Sequence, residues 1–297
     1  MLALVPAFAL AAQAPPSQPA GAPTDPAAAA TALVPAWVAE ATREATSPRM
    51  PAHRSFRLHS ARLGEDRHIN VYLPPGYASD ARRRYPVLYM PDGGMREDFP
   101  HVATDVDRLI RAGQMRPMIV VGIENTQRRR DMTAPTSVAS DRTIAPRVGG
   151  AAAFRAFIAE ELMPDVRKRY RSNGHTAIIG ESLAGLFVIE TLFAQPRLFD
   201  TWIALSPSLW WNDQALVHGA EARLRAWPRG LQRRFVFASA GDDDVGDAVG
   251  RLQAALRAAA PKALEWTCLR RPDLRHATIY RALSPSLLGA LFPPDSQ

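Results

Sequence analysis

From about Ser55 onward the chain alternates between two hydrophobic periods. Short apolar runs bounded by Gly, Pro or Asp read as strands. They are Pro86–Met90, Met118–Ile123, Thr176–Ile179, Trp202–Leu205, Arg234–Ala240 and Ala263–Leu269. Between them apolar residues recur at the spacing of one helical face. Val102, Val106, Leu109 and Ile110 mark such a helix, stopped by Gly113. Phe154, Phe157, Ile158, Leu162, Val166 and Tyr170 mark a longer one, which Pro164 is expected to kink. Leu186–Phe193, Gln214–Trp227, the segment Val249–Ala259 and a last stretch to about Leu291 predict further helices. Ser55–Ser60 and His68–Leu73 predict an opening antiparallel pair, and Glu124 to about Val148 a polar loop too long for a mere connector. Strands alternating with helices predict an α/β fold, its mostly parallel central sheet covered by helices on both faces. One folded domain is expected over residues 51–297.

Ahead of that domain, residues 1–14 are apolar and end in Ala12-Gln13-Ala14, a small-x-small pattern that reads as an export signal without its basic start. Residues 15–50 are rich in Ala and Pro and read as a largely disordered linker. A periplasmic or secreted protein is expected.

Composition narrows the partners. The net charge of +7 comes almost wholly from Arg, since Lys168 and Lys262 are the only lysines. Those arginines are scattered, which predicts a solvated basic surface and not a nucleic-acid footprint. No apolar run beyond the first dozen residues approaches a membrane span, so stable insertion is not expected. Cys268 is the sole cysteine, which excludes an intrachain disulfide and a cysteine-rich metal site.

Candidate chemistry centres on Gly180-Glu181-Ser182-Leu183-Ala184-Gly185, placed between a strand-like and a helix-like run. A serine at the apex of a sharp strand-to-helix turn is the context of a nucleophile elbow. The backbone there is strained, so the positions two before and two after the serine must be small, as Gly180 and Ala184 are. An ordinary glycine-rich turn has the same appearance, so partners must decide. A base follows in His276, in the loop after the last strand, and an acid in Asp242, Asp243 or Asp244, after the strand Arg234–Ala240. The order serine, acid, histidine at successive strand ends suits acyl transfer on an open sheet. Spacing of three residues from Gly241 selects Asp244, although an aspartate run can also cap a helix or hold a cation. Two converging N–H groups must hold the oxyanion. Leu183 and Gly94, the latter in Asp92-Gly93-Gly94, are the candidates, with a plain turn as the alternative for Gly94. Arg128 and Arg130 follow a strand end and could bind an anionic substrate, or Arg130–Asp131 could pin the long loop. Trp211, in Ser208-Leu209-Trp210-Trp211, could stack on a flat substrate or belong to the core.

The ordered set from Tyr85-Pro86-Val87-Leu88-Tyr89-Met90-Pro91-Asp92-Gly93 through Val121-Gly122-Ile123-Glu124-Asn125-Thr126, Arg130-Asp131, the elbow, Ile203-Ala204-Leu205-Ser206-Pro207-Ser208-Leu209-Trp210-Trp211 and His276 resembles the putative-esterase family of α/β-hydrolases, especially its periplasmic siderophore esterases. The resemblance covers roughly two-thirds of the chain. It implies an α/β-hydrolase fold and a serine carboxyl-ester hydrolase working through an acyl-enzyme on Ser182, with His276 as base and a small-molecule ester, of siderophore type, as substrate. It implies no metal or organic cofactor. Two positions depart from the family: Glu181 stands where histidine is frequent, and Ala184 replaces glycine. Glu181 puts a carboxylate near the pocket that could slow acyl transfer or disfavour an anionic substrate. An acyltransferase of the mycolyltransferase type and a catalytically silent binding protein are the alternatives on the same fold.

Overall fold

The computed structural model describes residues 50–144, 147–243 and 247–295. The export signal expected over residues 1–14, the linker up to residue 49 and Asp244 lie outside the described residues. The strands are β1 His53–Ser60, β2 Glu65–Tyr72, β3 Tyr85–Pro91, β4 Ile119–Ile123, β5 Ser172–Glu181, β6 Thr201–Leu205, β7 Arg233–Ala240 and β8 Leu264–Arg271. They form one sheet in the order β1-β2-β4-β3-β5-β6-β7-β8. The β1–β2 and β2–β4 pairs are antiparallel and every other neighbouring pair is parallel. This is the α/β-hydrolase arrangement, the fold class expected above.

The central strands are apolar throughout because both faces are covered. Alternate residues of each strand serve opposite cores. Val87, Tyr89, Val121, Ile178, Phe235 and Phe237 pack on one side with Phe154, Phe187 and Leu252. Leu88, Met90, Val120, Ile179, Val236 and Ala238 pack on the other with Val102, Val106, Leu283 and Leu287. The second core is closed by α1 (Phe99–Arg111) together with the C-terminal helix His276–Leu291. In register, Glu181 pairs with Leu205 and Leu205 with Ala238. The carboxyl ends of β5, β6 and β7 therefore lie side by side, where an open parallel sheet gathers its chemistry.

Three helical expectations change. The stretch predicted as a long loop holds two short helices, α2 (Arg128–Met132) and α3 (Ala139–Ile144). The helix expected to kink at Pro164 is divided into α4 (Ala151–Ala156), a π-helical turn Phe157–Leu162 and α5 (Met163–Arg169). Met163 N–H bonds Ile158 O, so the N–H that Pro164 lacks falls where a wider turn already interrupts the helical ladder. After β5 comes α6 (Leu183–Ala194), almost wholly buried. The helix expected at Gln214–Trp227 becomes α7 (Trp211–His218) and α8 (Ala220–Arg225), followed later by α9 (Ala248–Ala259) and α10 (His276–Leu291). Inside α7, Asn212, Asp213 and Gln214 have left-handed φ of 50°, 49° and 58°. Asn212 offsets that strain with bonds that tie it to the loop before α3. Its Oδ1 accepts from Ser137 N–H, and its N–H donates to Asp141.

Candidate active site

Ser182 stands between β5 and α6 with φ 58° and ψ −120°, a conformation that a non-glycine residue keeps only when its surroundings impose it. Its N–H donates to Leu205 O at 3.0 Å, and its carbonyl accepts from Leu186 N–H at 2.9 Å and Ser208 N–H at 3.0 Å. A Cβ on Gly180 would lie 2.7 Å from the carbonyl carbon of Ala184. Only glycine lets the strand and the helix meet this closely. Leu183 opens α6, so its N–H has no intrahelical partner and shares the positive end of the helix dipole. Ser182 Oγ rests 3.3 Å from Ser208 Oγ, a buried hydroxyl from the β6 side that was not singled out in the sequence.

His276 is the first residue of α10, not a loop residue. Its Nδ1 lies 2.6 Å from Asp243 Oδ1, and its backbone N–H donates to Asp242 Oδ1 at 2.7 Å. Two of the three aspartates thus have separate tasks, one orienting the ring and one capping the helix. The acid chosen by spacing, Asp244, lies outside the described residues, and the carboxylate on the imidazole is Asp243. Burial opposes ionisation of Asp243, but bonds from His276 and from Ala240 N–H outweigh it and hold the carboxyl below its usual range. The same bond raises His276 above its usual range against the pull of burial, with the charges of Asp243, Glu181 and Asp242 adding to the rise. Asp243 follows β7, whose carboxyl end lies two strands from that of β5, so the His276–Asp243 pair stands at the same end of the sheet as the elbow. Glu181 and His276 act on each other electrostatically. No hydrogen bond joins Ser182 to His276 in this arrangement.

The expected role of Gly94 meets an obstacle. Its N–H donates to Glu97 Oε2 at 2.7 Å, while Glu97 N–H returns to Gly94 O at 3.0 Å. Together these bonds close a turn ahead of α1, and the first occupies the amide expected to hold an oxyanion. The neighbouring Gly93 N–H is committed to Ile123 O. Glu97 is pushed up by burial, against the bond from Gly94 N–H.

A cleft of about 180 Å³ opens beside Ser182, lined by Leu183, Arg128, Arg129, Ser208, Trp210 and Trp211 among others. Arg128 reaches it, but its Nε and Nη2 grip both oxygens of Asp92 at 2.7 Å. Arg130 is not in the cleft. It bonds Glu65 through two nitrogens and Asp131 through a third, which is the structural contact weighed against the substrate role above. Glu65 is consequently held low, at about 2, chiefly by the Arg130 hydrogen bond. Trp211 lines the cleft but is only 4% exposed, and its Nε1 donates to Ala134 O at 2.9 Å. It is mainly a packed wall, and the half-buried Trp210 is the more open of the two rings.

Arg67, fully buried, ties the cleft to the sheet by binding Asp131 at 2.5 Å and Glu124 O at 2.9 Å. It sits in β2, where nothing in the local pattern separates a buried arginine from a solvated one. Asp141 was also missed. It is a buried cleft-lining carboxylate that accepts from Thr136 Oγ1 and Asn212 N–H.

Residues 60–263 match the family model described as putative esterase. The chain is 33% identical over 204 residues to the ferri-bacillibactin esterase of Bacillus subtilis, a match spanning 63% of this chain and 69% of that protein. It is 39% identical over 99 residues, 32% of each protein, to a siderophore triacetylfusarinine C esterase of Aspergillus fumigatus. Among solved structures, an IroE-like serine hydrolase from Shewanella oneidensis superposes with a TM-score of 0.73 at 28% identity, covering 81% of this chain and 80% of that one.

Proposed function

This chain belongs to the putative-esterase family and is a carboxylic-ester hydrolase, and on that premise we propose that it works through an acyl-enzyme on Ser182. The observation that carries the proposal is the strained serine at the strand-to-helix apex, with the His276–Asp243 pair at the same end of the sheet. On substrate binding the Ser182 hydroxyl leaves Ser208 for His276, since catalytic hydrogen bonds often tighten only in the complex. His276 takes the hydroxyl proton as Oγ bonds the ester carbonyl carbon. Leu183 N–H, at the positive end of α6, holds the oxyanion, and Gly94 N–H joins it once Glu97 withdraws. The carbonyl re-forms, the ester C–O bond breaks, and His276 gives its proton to the departing alcohol. Water, deprotonated by His276, then releases the acid from Ser182. Asp243 stays ionised and keeps the imidazole oriented.

The substrate we propose is a siderophore-type ester. Support comes from the relatives, two of which are themselves described as esterases of siderophores. It also comes from a cleft walled by Trp210 and Trp211 beside the nucleophile. Short acyl esters should be compared with catecholate and hydroxamate siderophore esters, with products identified by mass. Cleavage of the siderophore esters is expected. Turnover confined to the short esters would remove the siderophore assignment and leave the ester hydrolase.

A further inference from the structure

The residue immediately before Ser182 carries a charge that acyl transfer does not require. Glu181 ends β5 half-buried, and among the described residues its carboxylate makes no hydrogen bond and no ion pair. The other charges around the nucleophile are partnered. Arg128 holds Asp92, Asp141 accepts two hydrogen bonds, and Asp98 lies 3.3 Å from His101 Nδ1. Arg129 is partnered too. We infer that Glu181 makes the cleft select its substrates by charge, taking neutral and cationic esters and turning away esters that carry an anion near the scissile bond.

The inference rests on the ester-hydrolase reading of Ser182 and narrows its substrate. The carboxylate is carried by the residue next to the nucleophile, and its charge acts on His276. A charge so placed repels an incoming anion, an effect worth about tenfold or more in rate in a half-buried site. The groups whose charges act on Glu181 come from separate elements: Asp92 after β3, Asp98 before α1, Arg128 in α2 and His276 at the start of α10. Tyr280, one turn further along α10, feels the same carboxylate. Burial pushes Glu181 up to about 7, His276 and Arg128 pull it down, and Asp98 and Asp92 add to the rise. It is mostly neutral at pH 6 and mostly an anion at pH 8, so charge selection strengthens between them. A ferric tris-catecholate complex is an anion, whereas a ferric tris-hydroxamate and an iron-free siderophore ester are not. Among iron-chelating esters, the cleft therefore favours the uncharged forms.

The test compares 4-acetoxybenzoate with its methyl ester, an anionic and a neutral substrate of one shape, at constant ionic strength. The ratio of kcat/KM, neutral over anionic, cancels the protonation of His276 that both reactions share. In the wild-type enzyme this ratio should rise about five- to ninefold from pH 6 to pH 8, and in Glu181→Gln it should be the same at both. A ratio that is flat in the wild-type enzyme overturns the inference, and so does a rise that persists in the variant. The wild-type series decides alone should the variant not fold. Failure of the Ser182 reading shows separately, as Ser182→Ala that still cleaves the methyl ester.

Discussion

Asp243 Oδ1 lies 2.6 Å from His276 Nδ1, so the carboxylate that orients the imidazole comes one residue before the position that spacing selects. Asp243→Asn removes the charge that fixes the tautomer and steadies the imidazolium formed during attack. It should lower kcat about 10²- to 10⁴-fold, by analogy with other acyl-transfer sites, while Asp244→Asn stays close to wild type. Steady-state kinetics on a p-nitrophenyl ester separates the two, and the reverse ranking would move the acid back to Asp244.

The pH profile follows from the same contact. His276 must be neutral to accept the Ser182 proton, so kcat/KM rises as pH passes upward through its pKa. The bond to Asp243 lifts that pKa, so the acid limb should lie above the ordinary range of a histidine. Asp243→Asn and Glu181→Gln each remove a negative charge that favours the imidazolium. Both should therefore move the limb to lower pH, whatever happens to the plateau. A limb that stays in place in both variants would mean another group limits the rate.

Glu97 should restrain the reaction. While its carboxylate holds Gly94 N–H, a substrate carbonyl must displace it to gain a second oxyanion donor. Glu97→Ala should accelerate acyl-enzyme formation by about three- to tenfold, a modest share of what one oxyanion donor is worth. Burst kinetics reads this step directly. A slower burst would show that Glu97 shapes the loop, or that Gly94 is not the donor.

Stability should depend on the buried pair beneath the cleft. The side chains of Arg67 and Asp131 are both 0% exposed, so Asp131→Asn leaves a charged guanidinium without one of its main counter-ions. A loss of about 3–5 kcal/mol is expected from such a broken buried pair. Urea unfolding measures it, and a loss below about 1 kcal/mol would mean that Glu65 alone suffices.

The parts of the fold that sequence makes legible are those a period can encode. β3, β4 and β6 are buried on both faces, and their continuous apolar runs show it. The elbow was readable because its backbone conformation demands small neighbours. The π-helical turn before Pro164 and the left-handed run Asn212–Gln214 were not, because they depend on which backbone group bonds which. Asp243 lost to Asp244 for a similar reason, since a one-residue offset in a loop is set by where β7 and α10 place their ends. Arg130 and Arg67 answer to partners distant in sequence, among them Glu65 and Asp131.

The central claim is the covalent step at Ser182, and trapping that intermediate tests it most directly. The enzyme should be treated with a fluorophosphonate, digested and analysed by peptide mass, alongside Ser182→Ala. A single adduct on the peptide containing Ser182, together with an unlabelled Ser182→Ala that no longer hydrolyses p-nitrophenyl esters, is the predicted result. An adduct elsewhere, or ester hydrolysis that survives in Ser182→Ala, would contradict it.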